Sequence, residues 1–380
     1  MQQAPPRVLH IVENLDRGAV ENWLVRMLVH ARKREIEVDW TFYCILEQPG
    51  AMDDKARALG ARVIHSPVPI ARKAKFVRTL RMELGRGEYD VLHCHHDIVS
   101  AVYLLAASGM RIRRRIVHVH NADEAVLTPS RLKKRLYREP MRQVCLFMAD
   151  RIVGISNHTL DTFLAGHARR PERDFVHYYG LDPAPFENVA ADRADFRRQW
   201  ELPEDALVLL FGGRLVPEKN PVFAVDVLAD LRCIEPRAVA VFAGAGSQEL
   251  DIVVRARELG VENSVHLLGW RNDLPEIMSC SDWFILPHPE LPMEGFGLAV
   301  VEAQLAGLRM LLSRGIPDDP LLPTACFRRL PLSGGSIEWA KAAMELLHDP
   351  VPSRAAALAA LRASPMNMDQ ALKGLLELHT

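Results

Sequence analysis

The run Trp283-Phe284-Ile285-Leu286-Pro287, followed by Glu294-Gly295-Phe296-Gly297-Leu298-Ala299-Val300-Val301-Glu302, decides how this chain is to be read. An apolar stretch, a turn carrying two glycines and a helix-period segment ending near Gly307 predict a strand, a tight turn and a helix start. At such a junction free backbone N–H groups and the positive end of the helix dipole face an anion. One carboxylate precedes the turn and one lies inside the helix, so both can point into one crevice. A cradle of that kind suits a ligand with phosphate and several hydroxyls, such as a nucleotide sugar. The plainer alternative is a turn beside two solvated acids. Glu302 argues against it, because a carboxylate in an otherwise apolar helix start needs a partner or a ligand.

Outward from this element, short apolar runs alternate with helix-period segments, the pattern of βαβ units and parallel sheets. In the first half Val8-Leu9-His10-Ile11-Val12 predicts a strand, with a loop through Asp16-Arg17-Gly18-Ala19 and a helix from about Val20 to Ala31. Further strands are expected at 38–46, 62–65, 90–94, 115–119 and 151–155, and helices at 51–59, 75–85 and 130–149. The pattern restarts at Leu207-Val208-Leu209-Leu210-Phe211, with a helix after Pro221 and strands at 238–243, 264–268 and 282–287. The expected division is residues 1–182, a linker at 183–203, a second domain at 204–365, and a C-terminal helix at 366–380 that packs back on the first domain. Two open parallel sheets in succession predict a cleft, with ligand at the carboxyl ends of the strands.

Composition narrows the class. A chain of 380 residues exceeds one ordinary core, and its net charge of −1 offers no global attraction for nucleic acid. The six cysteines (44, 94, 145, 233, 280, 326) form no close pair, which suggests neither a disulfide framework nor a Cys-x-x-Cys metal site. The first residues lack the apolar core of a signal peptide, and no apolar stretch reaches the length of a bilayer span. A cytoplasmic protein is expected, with peripheral contact at the inner face of the membrane left open.

A second motif follows the strand at 207–211: Gly212-Gly213-Arg214-Leu215-Val216-Pro217-Glu218-Lys219-Asn220. A guanidinium fork and a compact ammonium, five positions apart on a loop, can converge on a diphosphate. With Gly213-Arg214-Leu215 and Lys219, the runs Phe242-Ala243-Gly244-Ala245-Gly246 and Leu268-Gly269-Trp270, and Glu294-Gly295-Phe296-Gly297 with Glu302, the second half resembles the nucleotide-binding domain of family 4 retaining glycosyltransferases. Those enzymes adopt the GT-B fold, two Rossmann-like parallel-sheet domains facing each other across a cleft. The runs Ala149-Asp150-Arg151-Ile152-Val153-Gly154-Ile155-Ser156 and Tyr179-Gly180-Leu181-Asp182 extend the resemblance over nearly the whole chain. A His-rich strand end in the first half places it closest to the polysaccharide-biosynthesis branch.

The resemblance implies roles. Arg214 and Lys219 would bind the donor diphosphate and stabilise it as it leaves. Glu302 would accept hydrogen bonds from ribose hydroxyls, Glu294 would contact the donor sugar, and the N–H groups of Phe296 and Gly297, with Gly213 and Gly295, would shape the cradle. His120, in His118-Val119-His120-Asn121, matches the family histidine that faces the donor sugar, with His118 as the alternative. Arg17-Gly18-Ala19-Val20-Glu21 is similar to a Gly-Gly-x-Glu signature, but Ala19 stands where the second glycine is usual. Tyr179 replaces a common asparagine, and Arg314-Gly315-Ile316-Pro317 replaces a double glycine.

The run His93-Cys94-His95-His96-Asp97 invites a zinc reading. No second cluster offers clear ligands, so cleft-lining polar residues are expected there, with no metal and no cofactor. Gly244-Ala245-Gly246 fails as a dinucleotide fingerprint because Glu249 occupies the third glycine's place. Basic residues gather at Arg111, Arg113, Arg114 and Arg115 and at Arg131, Lys133, Lys134, Arg135 and Arg138, either as solvated faces or as a contact for anionic lipid. The expected activity is transfer of a sugar, with retention, from a nucleotide diphosphate donor (UDP-linked) to a saccharide or lipid-linked saccharide acceptor. A sugar-nucleotide epimerase, a non-catalytic nucleotide-sugar binder and a zinc hydrolase are the alternatives.

Overall fold

The computed structural model describes residues 4–16, 18–122, 130–187, 189, 192–350 and 353–380. Two compact units divide the chain: Met1–Leu181 with Pro365–Thr380, and Asp182–Ser364.

The first unit holds strands β1 (Arg7–Val12), β2 (Asp39–Cys44), β3 (Arg62–His65), β4 (Val91–Cys94), β5 (Arg114–Val119), β6 (Arg151–Gly154) and β7 (Asp174–Val176). They pair in the order β3-β2-β1-β4-β5-β6-β7, and every pairing is parallel. The direction of winding reverses between β1 and β4, the switch point of a doubly wound sheet. Because side chains alternate along a strand, the sheet has two distinct faces. Leu9, Ile11, Leu92, Cys94, Val117, Val119 and Ile152 belong to one apolar core. The opposite alternation carries His10, His93, His118 and His120, with His95 just past the end of β4, and all five are buried. Trp23, from the helix Ala19–Lys33, lies over that second face, its ring 5.2 Å from His118 and 6.1 Å from His95.

The last helix, Met368–His379, belongs to this unit. Arg34 grips it by a bidentate pair with Asp369 (2.7 and 2.6 Å), and His30 reaches the same carboxylate at 2.7 Å. Leu181 N–H donates to the Met366 carbonyl at 2.9 Å. His379 is thereby delivered, fully buried, to the histidine face.

The second unit holds β8 (Leu207–Gly212), β9 (Ala238–Ala243), β10 (Val265–Gly269), β11 (Trp283–Leu286), β12 (Arg309–Ser313) and β13 (Phe327–Leu330), in the order β10-β9-β8-β11-β12-β13. These pairings are parallel too. Its switch point lies between β8 and β11, so the loops that leave those two strands define the expected ligand crevice. The stretch expected as a linker carries two short helices, Ala184–Glu187 and Arg193–Gln199, and both are part of this unit. Arg193 and Arg197 pair with Asp282, and the Asp282 carboxylate accepts the Val208 N–H at 2.8 Å, which ties the segment to the start of β8.

The structure departs from three expectations. His93, His95 and Asp97, expected as exposed lining residues, are buried, at 0, 4 and 4 % exposed. The arginine cluster divides. Arg113 donates to the His379 carbonyl, Arg114 to the Thr380 oxygen, and Arg115 pairs with Asp150, so these three have structural work. The helical stretch expected at 130–149 is a short helix, a π-turn at Lys134–Arg138 and the helix Glu139–Met148. Among the described residues no helix is long and apolar enough to cross a membrane.

Candidate functional site

The quoted element folds as strand β11, an irregular loop, and the helix Leu298–Leu305. Gly297 takes φ 92°, a left-handed conformation that costs glycine little and other residues more. From there the helix starts, and Glu302 lies half-buried within it. Gln304, on the same helix, is buried and fully engaged. Its amide donates to the Val300 and Pro320 carbonyls (2.8 and 2.9 Å) and accepts the Leu322 N–H at 2.8 Å. The helix is thus fixed against the 320–322 loop while Glu302 keeps some exposure.

The second motif leaves β8 beside it. Gly213 N–H donates to the Ala243 carbonyl and Leu215 N–H to the Ala245 carbonyl, both at 3.0 Å. A Cβ at Gly244 would run into the Gly213 carbonyl, and one at Gly246 into that of Leu215. The Phe242–Gly246 run is glycine-rich because two backbones touch there. Its effect is to set the Gly213-Arg214-Leu215 loop in place. Asn220, at φ 52°, donates to the Pro287 carbonyl at 3.1 Å and joins this loop to the end of β11.

The two motifs meet through charge. Lys219 Nζ and Glu294 form an ion pair, their side chains 19 and 13 % exposed. His288 Nε2 stands 3.6 Å from the same Glu294 oxygen. The Phe296 N–H, assigned from sequence to the ligand, donates to the Glu294 carboxylate. Burial alone would raise the pKa of Glu294, but the charges of Lys219 and His288 outweigh it and hold the carboxyl below its usual value. Burial lowers that of His288, with the Glu294 charge opposing it. Arg214 is exposed, and among the described residues no carboxylate pairs with it. Gly315 completes the enclosure: its carbonyl accepts the Glu294 N–H at 2.8 Å, and a Cβ there would collide with the Pro289 carbonyl. Lys219, Glu294 and His288 thus gather at the carboxyl ends of β8 and β11, a half-buried anion on one side and cations with a helix start on the other. Such a site can hold a polyanion and a hydroxylated group together.

His288 escaped the sequence reading, although a histidine just past a strand's carboxyl end was the available signal. The Lys219–Glu294 pair escaped too, since 75 positions separate its partners.

In the first unit, His120 is held on both ring nitrogens, by His95 at 3.0 Å and by the Tyr179 hydroxyl at 2.7 Å. Tyr179, which departs from the usual asparagine, therefore has a definite partner. Asp97 accepts the His120 N–H (2.8 Å) and the Asn121 amide (2.7 Å), pinning the ends of β4 and β5 together. Burial pushes the His120 pKa down to about 3, so its ring is neutral near pH 7. His118 is wholly buried. Gly18 precedes the Ala19–Lys33 helix and accepts the Asn22 N–H and amide at 3.0 and 2.9 Å. Ala19 is the helix's first residue and is exposed; Arg17 lies outside the described residues. Burial, aided by Glu13 and Asp16, lifts Glu21 to about 7 against its own backbone N–H bond.

Comparison with known proteins bears on both units. The family model for a glycosyl transferase 4-like domain matches residues 5–180, and that for glycosyl transferases group 1 matches residues 192–317. EpsF of Bacillus subtilis (strain 168), which carries a provisional glycosyltransferase name, is 27% identical over 347 residues, covering 90% of this chain and 88% of EpsF. The Escherichia coli UDP-Gal:alpha-D-GlcNAc-diphosphoundecaprenol alpha-1,3-galactosyltransferase is 26% identical over 274 residues, 69% of this chain and 67% of its own. Among solved structures, Anabaena Alr3699/HepE in complex with UDP and glucose superimposes with TM-score 0.77 at 20% identity, covering 98% of both chains. The lipopolysaccharide-biosynthesis glycosyltransferase WaaG gives 0.72 at 17% identity, over 98% of this chain and 99% of its own. With its two parallel-sheet units matched in order by the two domain families, the chain belongs to the family 4 glycosyltransferases of GT-B fold.

Proposed function

We propose that this glycosyltransferase moves a sugar, with retention, from a UDP-sugar to a hydroxyl of a saccharide or lipid-linked saccharide in surface-polysaccharide synthesis. The observation that carries the reading is the gathering of Lys219, Glu294 and His288 at the switch point of the second unit, with Arg214 exposed beside them. The UDP complexes of HepE and the diphosphoundecaprenol acceptor named for the Escherichia coli enzyme support the donor and acceptor classes.

The energetic task is to stabilise negative charge on the departing diphosphate. Lys219 and Arg214 supply cations, and the start of the Leu298–Leu305 helix, with the Gly295 and Gly297 backbone, supplies a dipole. Glu294 positions sugar hydroxyls and Glu302 the ribose. His120, neutral and bonded on both ring nitrogens, does not act as a general acid. The leaving phosphate itself helps deprotonate the acceptor, so attack occurs on the face the leaving group vacates. With lysine and arginine supplying the cations, this transfer needs no resident metal.

Acceptor-dependent release of UDP from a donor panel tests the reading. An altered sugar still linked to UDP, formed without acceptor, indicates an epimerase; binding without turnover indicates a nucleotide-sugar binder.

The protein works in the cytoplasm, at a membrane surface, in this reading. Leu132, Leu136 and Phe147 are 66, 67 and 90 % exposed, and Lys133 and Arg135 are exposed among them. Apolar side chains interleaved with lysine and arginine suit an anionic interface. Flotation with phosphatidylglycerol vesicles should recover the chain, and Lys133→Glu with Arg135→Glu should release it. Equal recovery of the double variant would remove this part of the proposal.

A further inference from the structure

Histidines distant in sequence fill one face of the first unit's sheet. Their contacts form two chains. One runs from His379 Nε2 to His93 Nδ1 (3.0 Å) and from His93 Nε2 to His118 Nδ1 (3.2 Å). The other runs from His10 Nδ1 to His95 Nε2 (3.1 Å), then from His95 Nδ1 to His120 Nε2 (3.0 Å) and on to Tyr179. Each neutral ring has one N–H and one lone pair. Whichever way the protons run, the chain ends His379 Nδ1, His118 Nε2 and His10 Nε2 keep no partner among the described residues. Hydrogen bonds alone do not complete this core, and a buried polar atom without a partner, such as His10 Nε2, calls for an ion or a water.

From this geometry we propose that His10, His93 and His379 form a binding site for one first-row transition-metal ion, which clasps the last helix to strands β1 and β4. His10 and His93 are register partners on those strands. The three rings make a nearly equilateral triangle, with centroids 5.1, 5.3 and 5.5 Å apart, and all three are fully buried. One nitrogen from each lies within 4.8 Å of the others. The 3.0 Å separation of His93 Nδ1 and His379 Nε2 is near the edge of a tetrahedral shell, about 3.3 Å for bonds of roughly 2.05 Å.

Ring orientation selects this trio over His93, His95 and His118, which also lie close enough to share an ion. In that second set His93 stacks on His95 with centroids 4.3 Å apart and planes at 26°, so the in-plane lone pairs of those two rings run side by side and do not converge on one ion. His379 instead meets His93 at 81° and His10 at 68°. Burial lowers the pKa of each of the three rings, which keeps them unprotonated as ligands must be. Trp40 packs against His10 and His379 (4.8 and 6.2 Å), an apolar shell around an imidazole set of the kind that suits zinc, copper, nickel or iron. The sequence reading set metal aside for want of a second ligand cluster. The fold supplies it from β1 and the last helix. The site is structural and independent of the transfer reaction, so neither proposal depends on the other.

The test uses the purified full chain, stripped with chelator, shown to be folded by circular dichroism and titrated with Co2+ and then Zn2+. The expected result is one Co2+ per chain with visible d–d absorption, displaced by one Zn2+, and a melting temperature raised by several degrees. His379→Ala should lose the absorption and the zinc-dependent shift, while exposed His348→Ala keeps both. The proposal is overturned if the folded wild-type chain takes up no near-stoichiometric ion, if folded His379→Ala binds as wild type does, or if His348→Ala is the variant that loses binding. The wild-type titration decides the matter even where a variant fails to fold.

Discussion

Replacing Lys219 by alanine is expected to lower kcat by about 10²- to 10³-fold, the loss typical when one preorganised charge-stabilising donor is removed. The reason lies in its surroundings. Lys219 and Glu294 are paired with side chains only 19 and 13 % exposed, so neither is a surface ion of small consequence. Glu294→Ala should fall by a similar factor, because it both removes the proposed sugar contact and leaves the lysine without its counter-ion. The double variant should be little worse than either single one, since the two residues act as a unit. Steady-state kinetics on the three variants check this. Losses that multiply would show two independent surface charges and would remove the pair from the mechanism.

Acidification should unfold the first unit well before the second. Burial pushes His120 and His379 to about 3 and His96 to about 4, and lowers His10, His93, His95, His118 and His177 as well. Each is depressed below its unfolded value near 6.5, so the unfolded chain takes up protons that the folded chain refuses. The stability these neutral rings hold above pH 6.5 is therefore lost as pH falls toward the folded values. One pH unit below the unfolded pKa, each such histidine costs about 1.4 kcal/mol, and three cost about 4 kcal/mol, against a typical total of about 5–15 kcal/mol. Glu21 works in the opposite sense: raised to about 7, it destabilises the fold at high pH and returns about 2 kcal/mol between pH 7.5 and 5.5. The histidines outnumber it. Denaturant unfolding of the chelator-treated chain at pH 7.5, 6.5 and 5.5, with hydrogen exchange to separate the units, should show the first unit losing stability steeply. A flat profile over that range would mean the rings are not buried and neutral.

Much of this molecule was legible because it repeats simple patterns. The apolar runs at 207–211, 238–243 and 282–287 became strands β8, β9 and β11 with ends shifted by a residue or so, since a buried parallel strand needs a continuous apolar run. The Glu294–Glu302 element was readable as strand, turn and helix because its turn glycine has the left-handed angle its position demands. Short β7 carries no such run, and the π-turn at Lys134–Arg138 has no sequence period of its own. The joining of the histidines into one core was not legible, for a different reason. The runs at His93–Asp97 and His118–His120 were conspicuous one by one, but His10 and His379 were not, and His93 meets His379 only after 286 positions of chain have folded. The Lys219–Glu294 pair shares that difficulty: sequence supplied both members and a role for each, but not their contact.

The central claim is that the second unit is built to hold a nucleotide diphosphate sugar. Thermal unfolding of the full chain over a titration series of UDP and UDP-sugars tests it most directly, because a ligand that binds only the folded state stabilises it by about 2.7 kcal/mol at a hundred times its Kd. The account predicts a concentration-dependent rise in Tm for UDP and at least one UDP-sugar, sharply reduced in Lys219→Ala and in Glu302→Ala. No rise with any nucleotide sugar, or a rise that both variants keep in full, would contradict it.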